Sequence, residues 1–288
     1  MDALRASRVQ RRFDPLPGRF YDRSACVTGS KRGIVPILIA IPVFNELGHV
    51  ERVLEKVHRF ADEILCIDDG STDGTAELLA RRRDIRLIHH GRNLGYGRSI
   101  IDAFDYAGKH GFDWVITMDC DEQHEPEAIP EFMQLIETGD YDLISGSRYL
   151  KSRDDNDLPP PDRRSINVAL TAVLNVLFGW GLTDAFCGFK AHRTSEMVKL
   201  RLDEAGYAFP LQFWPRVAAA KLRVTELPVR LIYNDPNRTF GGNLDDAYLR
   251  MKHYLDVLHR ELHREPVASL EPRDCAACFC RASEPVSA

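Results

Sequence analysis

Trp114-Val115-Ile116-Thr117-Met118-Asp119-Cys120-Asp121-Glu122-Gln123-His124 joins an apolar, β-branched run to a cluster of acids and amides. The first half reads as a buried strand, so the carboxylates emerge at its C-terminal end. In open α/β sheets ligands bind at that end. Acids spaced i, i+2, with an amide two residues on, converge hard oxygen donors on one Mg2+ or Mn2+. Such an ion needs only one or two carboxylates if phosphate oxygens complete its shell. Taken alone, an Asp-X-Asp is an ordinary acidic turn, and the neighbouring segments decide its meaning.

Upstream, Ile37 to Ile41 reads as a strand entering the loop Pro42-Val43-Phe44-Asn45-Glu46. A helix over about residues 47–60 follows, with Val50, Val53, Leu54 and Val57 at helical spacing. The strand Ile64-Leu65-Cys66-Ile67 then ends in Asp68-Asp69-Gly70-Ser71-Thr72-Asp73-Gly74. A helix from Thr75, a short strand Arg86-Leu87-Ile88 and a helix over 97–109 lead to the acidic stretch. After it come a helix over 126–137 and the strand Leu143-Ile144-Ser145-Gly146. This alternation predicts an α/β fold with a mostly parallel central sheet flanked by helices. The loops after the first, second and fourth strands then open on one edge. They carry Asn45 and Glu46, Asp68 and Asp69, and Asp119 and Asp121. Three acidic strand ends together suit a nucleotide: carboxylates accept from ribose hydroxyls and base N–H groups while a metal neutralises the diphosphate.

Pro42-Val43-Phe44-Asn45-Glu46, Ile67-Asp68-Asp69-Gly70-Ser71-Thr72-Asp73-Gly74-Thr75, Asn93-Leu94-Gly95-Tyr96-Gly97, the Asp119–His124 stretch and Gly146-Ser147-Arg148 occur in this order. Together they resemble the family 2 inverting glycosyltransferases of GT-A fold, in particular the dolichyl- or polyprenyl-phosphate mannosyltransferase and glucosyltransferase branch. The resemblance covers about residues 34–243. It implies a nucleotide-diphospho-sugar transferase fold, with Pro42, Phe44, Asn45, Glu46, Ile67, Asp69, Asp119, Cys120, Asp121, Arg148 and Arg238 around the nucleotide sugar. It also implies Mg2+ or Mn2+ on Asp119, Asp121 and Gln123, and catalytic roles for Asp121, Arg148, Asp184 and Lys190. Asp73 reads instead as a turn or cap residue, and Asn93, Gly95 and Gly97 as turn geometry with close backbone approach. His124 is expected to support the hard ion's ligands rather than bind the ion.

Downstream, a charged, proline-containing linker runs from Lys151 to Asp162. Residues 166–180 form an apolar run too short and too polar to span a bilayer. Two readings stay open there: a buried helix, or a partly exposed one that accepts a lipid tail. Asp184-Ala185-Phe186-Cys187-Gly188-Phe189-Lys190 resembles the family's acid-to-basic segment before the acceptor helix. Relatives that glycosylate hydroxyl groups need a carboxylate base in the helix that follows, because a neutral hydroxyl must lose its proton. Tyr207-Ala208-Phe209-Pro210-Leu211-Gln212-Phe213-Trp214 contains no acid, which favours an anionic lipid phosphate unless Asp203 or Glu204 serves. Residues 224–232 read as a strand. The following loop offers Arg238 without the Lys that family members carry, and residues 245–263 read as an amphipathic helix. Cys275, Cys278 and Cys280 are read as reduced thiols of an irregular tail, with zinc binding or acylation as the alternatives.

At 288 residues with a net charge of -5, the chain has no global field to hold nucleic acid. Residues 1–33 are locally basic and irregular, and neither a secretion signal nor a bilayer-spanning run is evident. The expected organisation is a basic arm (1–33), a GT-A domain (34–244) and a helix with a Cys-containing tail (245–288). The expected location is cytoplasmic, at most peripheral on the cytoplasmic membrane face. The expected activity is metal-dependent transfer of a hexose, mannose from GDP-mannose first, to a polyprenyl or dolichyl phosphate. A saccharide or other hydroxyl acceptor, and a non-catalytic nucleotide-sugar-binding subunit, are the alternatives.

Overall fold

The computed structural model describes residues 35–151, 156–233 and 242–264. Among the described residues, seven strands form one sheet: β1 (Ile37–Val43), β2 (Ile64–Asp68), β3 (Arg86–His89), β4 (Trp114–Thr117), β5 (Leu143–Ser147), β6 (Lys190–Arg193) and β7 (Val224–Pro228). Their order is β3-β2-β1-β4-β6-β5-β7. β1 pairs in parallel with β2 and β4, β2 with β3, and β5 with β7, whereas β6 runs antiparallel between β4 and β5. The ends of β1, β2 and β4 therefore share one edge, as the alternation of strands and helices requires.

Successive residues of a strand face opposite sides. Leu38 and Ala40 of β1, with Leu65 and Ile67 of β2, pack on α3 (Tyr96–His110), α5 (Pro161–Phe178) and α7 (Phe209–Ala219), through Phe104, Leu170 and Phe213 among others. Ile39, Ile41, Ile64 and Cys66 point the other way. They meet α1 (Val50–Val57) and α4 (Ile129–Thr138), with Leu79 of α2 (Thr75–Arg81) at the side. The short helix α6 (Thr194–Met197) follows β6 directly. α8 (Ala247–Leu262) packs on α7 and α5, burying Tyr254, Val257 and Leu258 in the first of these cores.

Two elements depart from expectation. β6 was not foreseen, because Lys190-Ala191-His192-Arg193 shows no apolar alternation. It is fixed by long-range pairing, Ile116 opposite Ala191 on one side and Ile144 opposite Ala191 on the other. The strand expected over 224–232 stops at Pro228. β5 ends opposite it at Ser147, Val229 N donates the last ladder bond to Ser147 O, and the chain turns to residues 156–157, where Leu231 N donates to Asn156 Oδ1. α5 is buried along Ile166, Leu170 and Leu174, while Val168, Val173, Val176 and Leu177 are exposed. Among the described residues, no helix is long and apolar enough to cross a membrane.

Candidate active site

A cavity of about 740 Å3 opens at the shared strand edge, lined by Pro42, Phe44, Asn45, Glu46, Asp69, Asp119, Cys120, Asp121, Gln123, Arg148 and Lys190. Most residues singled out from the sequence thus meet in one place. Ile67 does not: its side chain is wholly buried in the core beneath the site. Asp184 also lies outside the lining. Arg238 and the tail cysteines fall outside the described residues.

The loops after β1 and β2 hold each other. Asn45 takes a left-handed conformation (φ +56°), which an Asn tolerates better than most residues. Its N–H donates to Ser71 Oγ at 2.9 Å, and its Oδ1 accepts from Thr72 N at 2.8 Å. Asp73 accepts from Leu47 N at 3.1 Å and from Thr75 N at 3.0 Å, a structural use of its carboxylate. Asp69 is engaged as well: Oδ1 accepts from Leu94 N and Oδ2 from Gly95 N, both at 2.8 Å. Gly95 has φ +105°, and a Cβ there would stand 2.4 Å from Ala205 O, so the loop needs glycine for close backbone approach.

The loop after β4 separates its carboxylates by task. Glu122, at φ +59°, turns away from the cavity and meets His49 (3.0 Å), Arg52 (2.8 Å) and Lys56 (3.0 Å). The Arg52 hydrogen bond, with help from His49 and Lys56, holds its carboxyl down at about 2. Asp119 and Asp121 stay at the cavity, and Gln123 N donates to Asp121 Oδ1 at 3.0 Å. Asp119 N donates to His124 Nδ1 at 3.0 Å. Burial pushes the His124 imidazole down to about 4, so the ring is neutral and supports the loop. Tyr96 stacks on Tyr207 with centroids 5.9 Å apart, and burial, then the Asp119 charge, raises its hydroxyl pKa. Gly188 lets the Asp119 carboxylate lie against the chain, since a Cβ there would sit 2.6 Å from Oδ2.

Among the described residues, no group of three or more His, Cys, Asp or Glu side chains could hold a metal ion. Two carboxylates with an amide beside them are a set of hard oxygen donors that fits an ion whose shell is completed by diphosphate oxygens.

The rest of the lining is basic and aromatic, from the ends of β5 and β6 and from α5 and α8. Arg148 donates from Nε to Asp184 Oδ2 at 2.6 Å and from Nη2 to Oδ1 at 3.0 Å, and Asn167 Nδ2 donates to the same Oδ1 at 2.8 Å. Burial alone would raise the Asp184 pKa, but the Arg148 guanidinium holds it at about 2. Asp184 therefore orients Arg148 from behind and does not reach the cavity. Lys190 Nζ donates to Cys187 O and lies 5.7 Å from the centre of a Trp214 ring. Sequence reasoning missed Arg163, Arg250 and Tyr254, which complete this wall from α5 and α8. Arg250, 2% exposed, donates to Asp162 Oδ2 at 2.5 Å. Tyr254 stacks on Phe186 at 5.6 Å.

A mostly parallel sheet with acidic and basic groups around one cavity at its strand ends is the arrangement of an α/β domain that binds its ligand at the carboxyl edge. The glycosyl transferase family 2 model matches residues 38–196, and the chain belongs to that family. It is therefore a glycosyltransferase. It is 26% identical over 226 residues to the undecaprenyl-phosphate mannosyltransferase of Micrococcus luteus, covering 75% of this chain and 92% of that one. It is equally similar, at 26%, to the polyprenol monophosphomannose synthase of Mycolicibacterium smegmatis, covering 74% of this chain and 84% of the other. In fold it resembles glucosyl-3-phosphoglycerate synthase of Mycobacterium tuberculosis, solved with Mn2+, uridine diphosphate and glucosyl-3-phosphoglycerate. That match has a TM-score of 0.57 at 19% identity and covers 78% of this chain and 79% of that one.

Proposed function

We propose that the chain transfers a hexose, mannose from GDP-mannose first, from a nucleoside diphosphate sugar to a polyprenyl phosphate with inversion at the anomeric carbon. The observation that carries this reading is the distribution of charge in the cavity. Among the described residues, its lining carboxylates are Glu46, Asp69, Asp119 and Asp121, all on the strand-end loops. Its lining cations are Arg148 and Lys190, from the ends of β5 and β6, and Arg163 and Arg250, from α5 and α8. Asp203 and Glu204, the acids nearest in sequence to the acceptor helix, are absent from the lining. They bind Arg264 and Arg260, each at 2.7 Å. A hydroxyl acceptor would lack a base on that wall, whereas a phosphate arrives already ionised. Names of relatives that act on undecaprenyl phosphate or polyprenol support the same acceptor.

In this mechanism the strand-end loops bind the nucleotide, and the basic wall binds the acceptor phosphate. One phosphate oxygen bonds to the anomeric carbon as the bond to the diphosphate breaks on the opposite face. A divalent ion held by Asp119 and Asp121, with Gln123 beside them, would neutralise charge on the leaving diphosphate. Arg148, fixed by Asp184, adds a preorganised positive charge.

The test is a matrix of GDP-mannose, UDP-glucose and UDP-N-acetylglucosamine against polyprenyl phosphate and a neutral saccharide, with and without Mg2+ or Mn2+. The expected result is transfer to the lipid phosphate alone, dependent on the ion and lowered by about a thousandfold in Asp121→Asn. Equal transfer to the saccharide would overturn the acceptor assignment, and full activity of Asp121→Asn would overturn the role of the acidic loop.

A further inference from the structure

His90 follows β3 and is 7% exposed, between the end of β2 and α3. Its Nδ1 lies 2.7 Å from Asp69 Oδ1 and its Nε2 lies 2.9 Å from Asp102 Oδ2. A neutral imidazole offers one donor and one acceptor, and an ionised carboxylate only accepts. Both contacts are satisfied together only when both ring nitrogens carry a proton. Arg98 closes the outer end of the chain, donating from Nε to Asp102 Oδ2 at 2.9 Å and from Nη2 to Oδ1. Burial opposes a charge on the ring, but the Asp102 and Asp69 carboxylates outweigh it and bring the imidazole up to about 9.

The far end of this chain is in the cavity. Asp69 lines it, and its Oδ1 is filled by His90 and Leu94 N. Among the described hydrogen bonds, Oδ2 accepts only from Gly95 N, and a carboxylate oxygen has a second acceptor site. We propose that His90 is a positioning residue for the nucleoside half of the site: bridging Asp69 and Asp102, it fixes the rotation of the Asp69 carboxylate so that Oδ2 is presented to a donor group of the nucleoside. This assignment rests on the reading of the cavity as a nucleoside diphosphate site. It separates two tasks that a buried histidine could have. A ring that only fills space would affect every ligand of the cavity through stability, whereas a ring that aims Asp69 affects the nucleoside and spares the diphosphate.

The experiment is calorimetric titration of the full chain with UDP, GDP and inorganic pyrophosphate, each with Mn2+, for wild type, His90→Gln and Asp102→Asn. His90→Gln keeps one amide donor but turns an oxygen toward the other carboxylate. It is expected to weaken the nucleoside diphosphate that wild type binds by about tenfold, with pyrophosphate unchanged. Asp102→Asn keeps the ring and an acceptor oxygen beside it but removes the outer negative charge, so a smaller loss with the same selectivity is expected. It also decides the matter if His90→Gln does not fold. In steady state, donor KM rises while kcat stays within about twofold. Equal weakening of pyrophosphate, or unchanged nucleoside diphosphate affinity in Asp102→Asn and His90→Gln, overturns the role of His90 and leaves the site reading intact. Failure of wild type to bind either UDP or GDP overturns the site reading, and the His90 assignment with it.

Discussion

On the strand-end half of the cavity, Asn45 and Asp69, with Asp73 of the same loops, direct side-chain oxygens at backbone N–H groups of adjoining loops. On the helical half, where the ends of β5 and β6 meet α5 and α8, charged side chains pair with one another across elements distant in sequence, Arg148 with Asp184 and Arg250 with Asp162. The first arrangement fixes the shape of the loops. The second fixes the direction of single charges of which one partner is withdrawn from water, the Asp184 side chain at 0% and the Arg250 side chain at 3% exposed. A lost partner should therefore cost more on the helical half, because a largely buried ion that loses its counter-ion is poorly compensated.

Asp184→Ala gives the largest test of this contrast. It leaves the Arg148 guanidinium without its two-pronged partner in a position where Asp184 is fully buried. A loss of about 3–5 kcal/mol in urea unfolding is expected. Asn45→Gly keeps the left-handed conformation and removes an acceptor from Thr72 N at an exposed position, where water replaces it. The expected cost is about 1 kcal/mol in the same measurement. Equal losses in the two variants would erase the distinction between the halves.

The strand-end half was legible in the sequence because each of its pieces is contiguous. Ile37 to Ile41, Ile64 to Ile67 and Trp114 to Met118 are apolar runs that end directly in their functional residues. The separate duties of those residues were less legible. Asn45 lines the cavity, and its oxygen also staples the neighbouring loop. Ile67, beside Asp68, points into the core because side chains alternate along a strand. The helical half was legible only where the family motif covers it, at Arg148 and at the segment from Asp184 to Lys190. Arg163, Arg250 and Tyr254 are brought to the cavity by the packing of α5 and α8, and nothing adjacent to them in sequence marks that destination. His90 follows a second histidine at the end of an ordinary short strand. Its significance exists only once Asp69 and Asp102 stand on either side of it.

A test by pH and salt concerns Glu122, where the strand-end half does use an ionic cluster. Its folded pKa of about 2 lies below the ordinary carboxyl value of roughly 4.3. A depressed carboxylate contributes stability that is fully present above the unfolded value and is lost as pH falls through the folded one. The difference in unfolding stability between wild type and Glu122→Gln should therefore be constant above about pH 5 and shrink toward pH 2. Salt then separates this cluster from the helical half. Arg52 and Lys56 are 57% and 42% exposed, so added salt should screen their attraction for Glu122 and reduce the difference. Asp184 is 0% exposed and Arg148 18%, so the corresponding difference for Asp184→Asn should hardly respond. A salt response of the same size at both positions would mean that the Arg148 pair is reached by solvent, and the helical half would lose its claim to a preorganised charge.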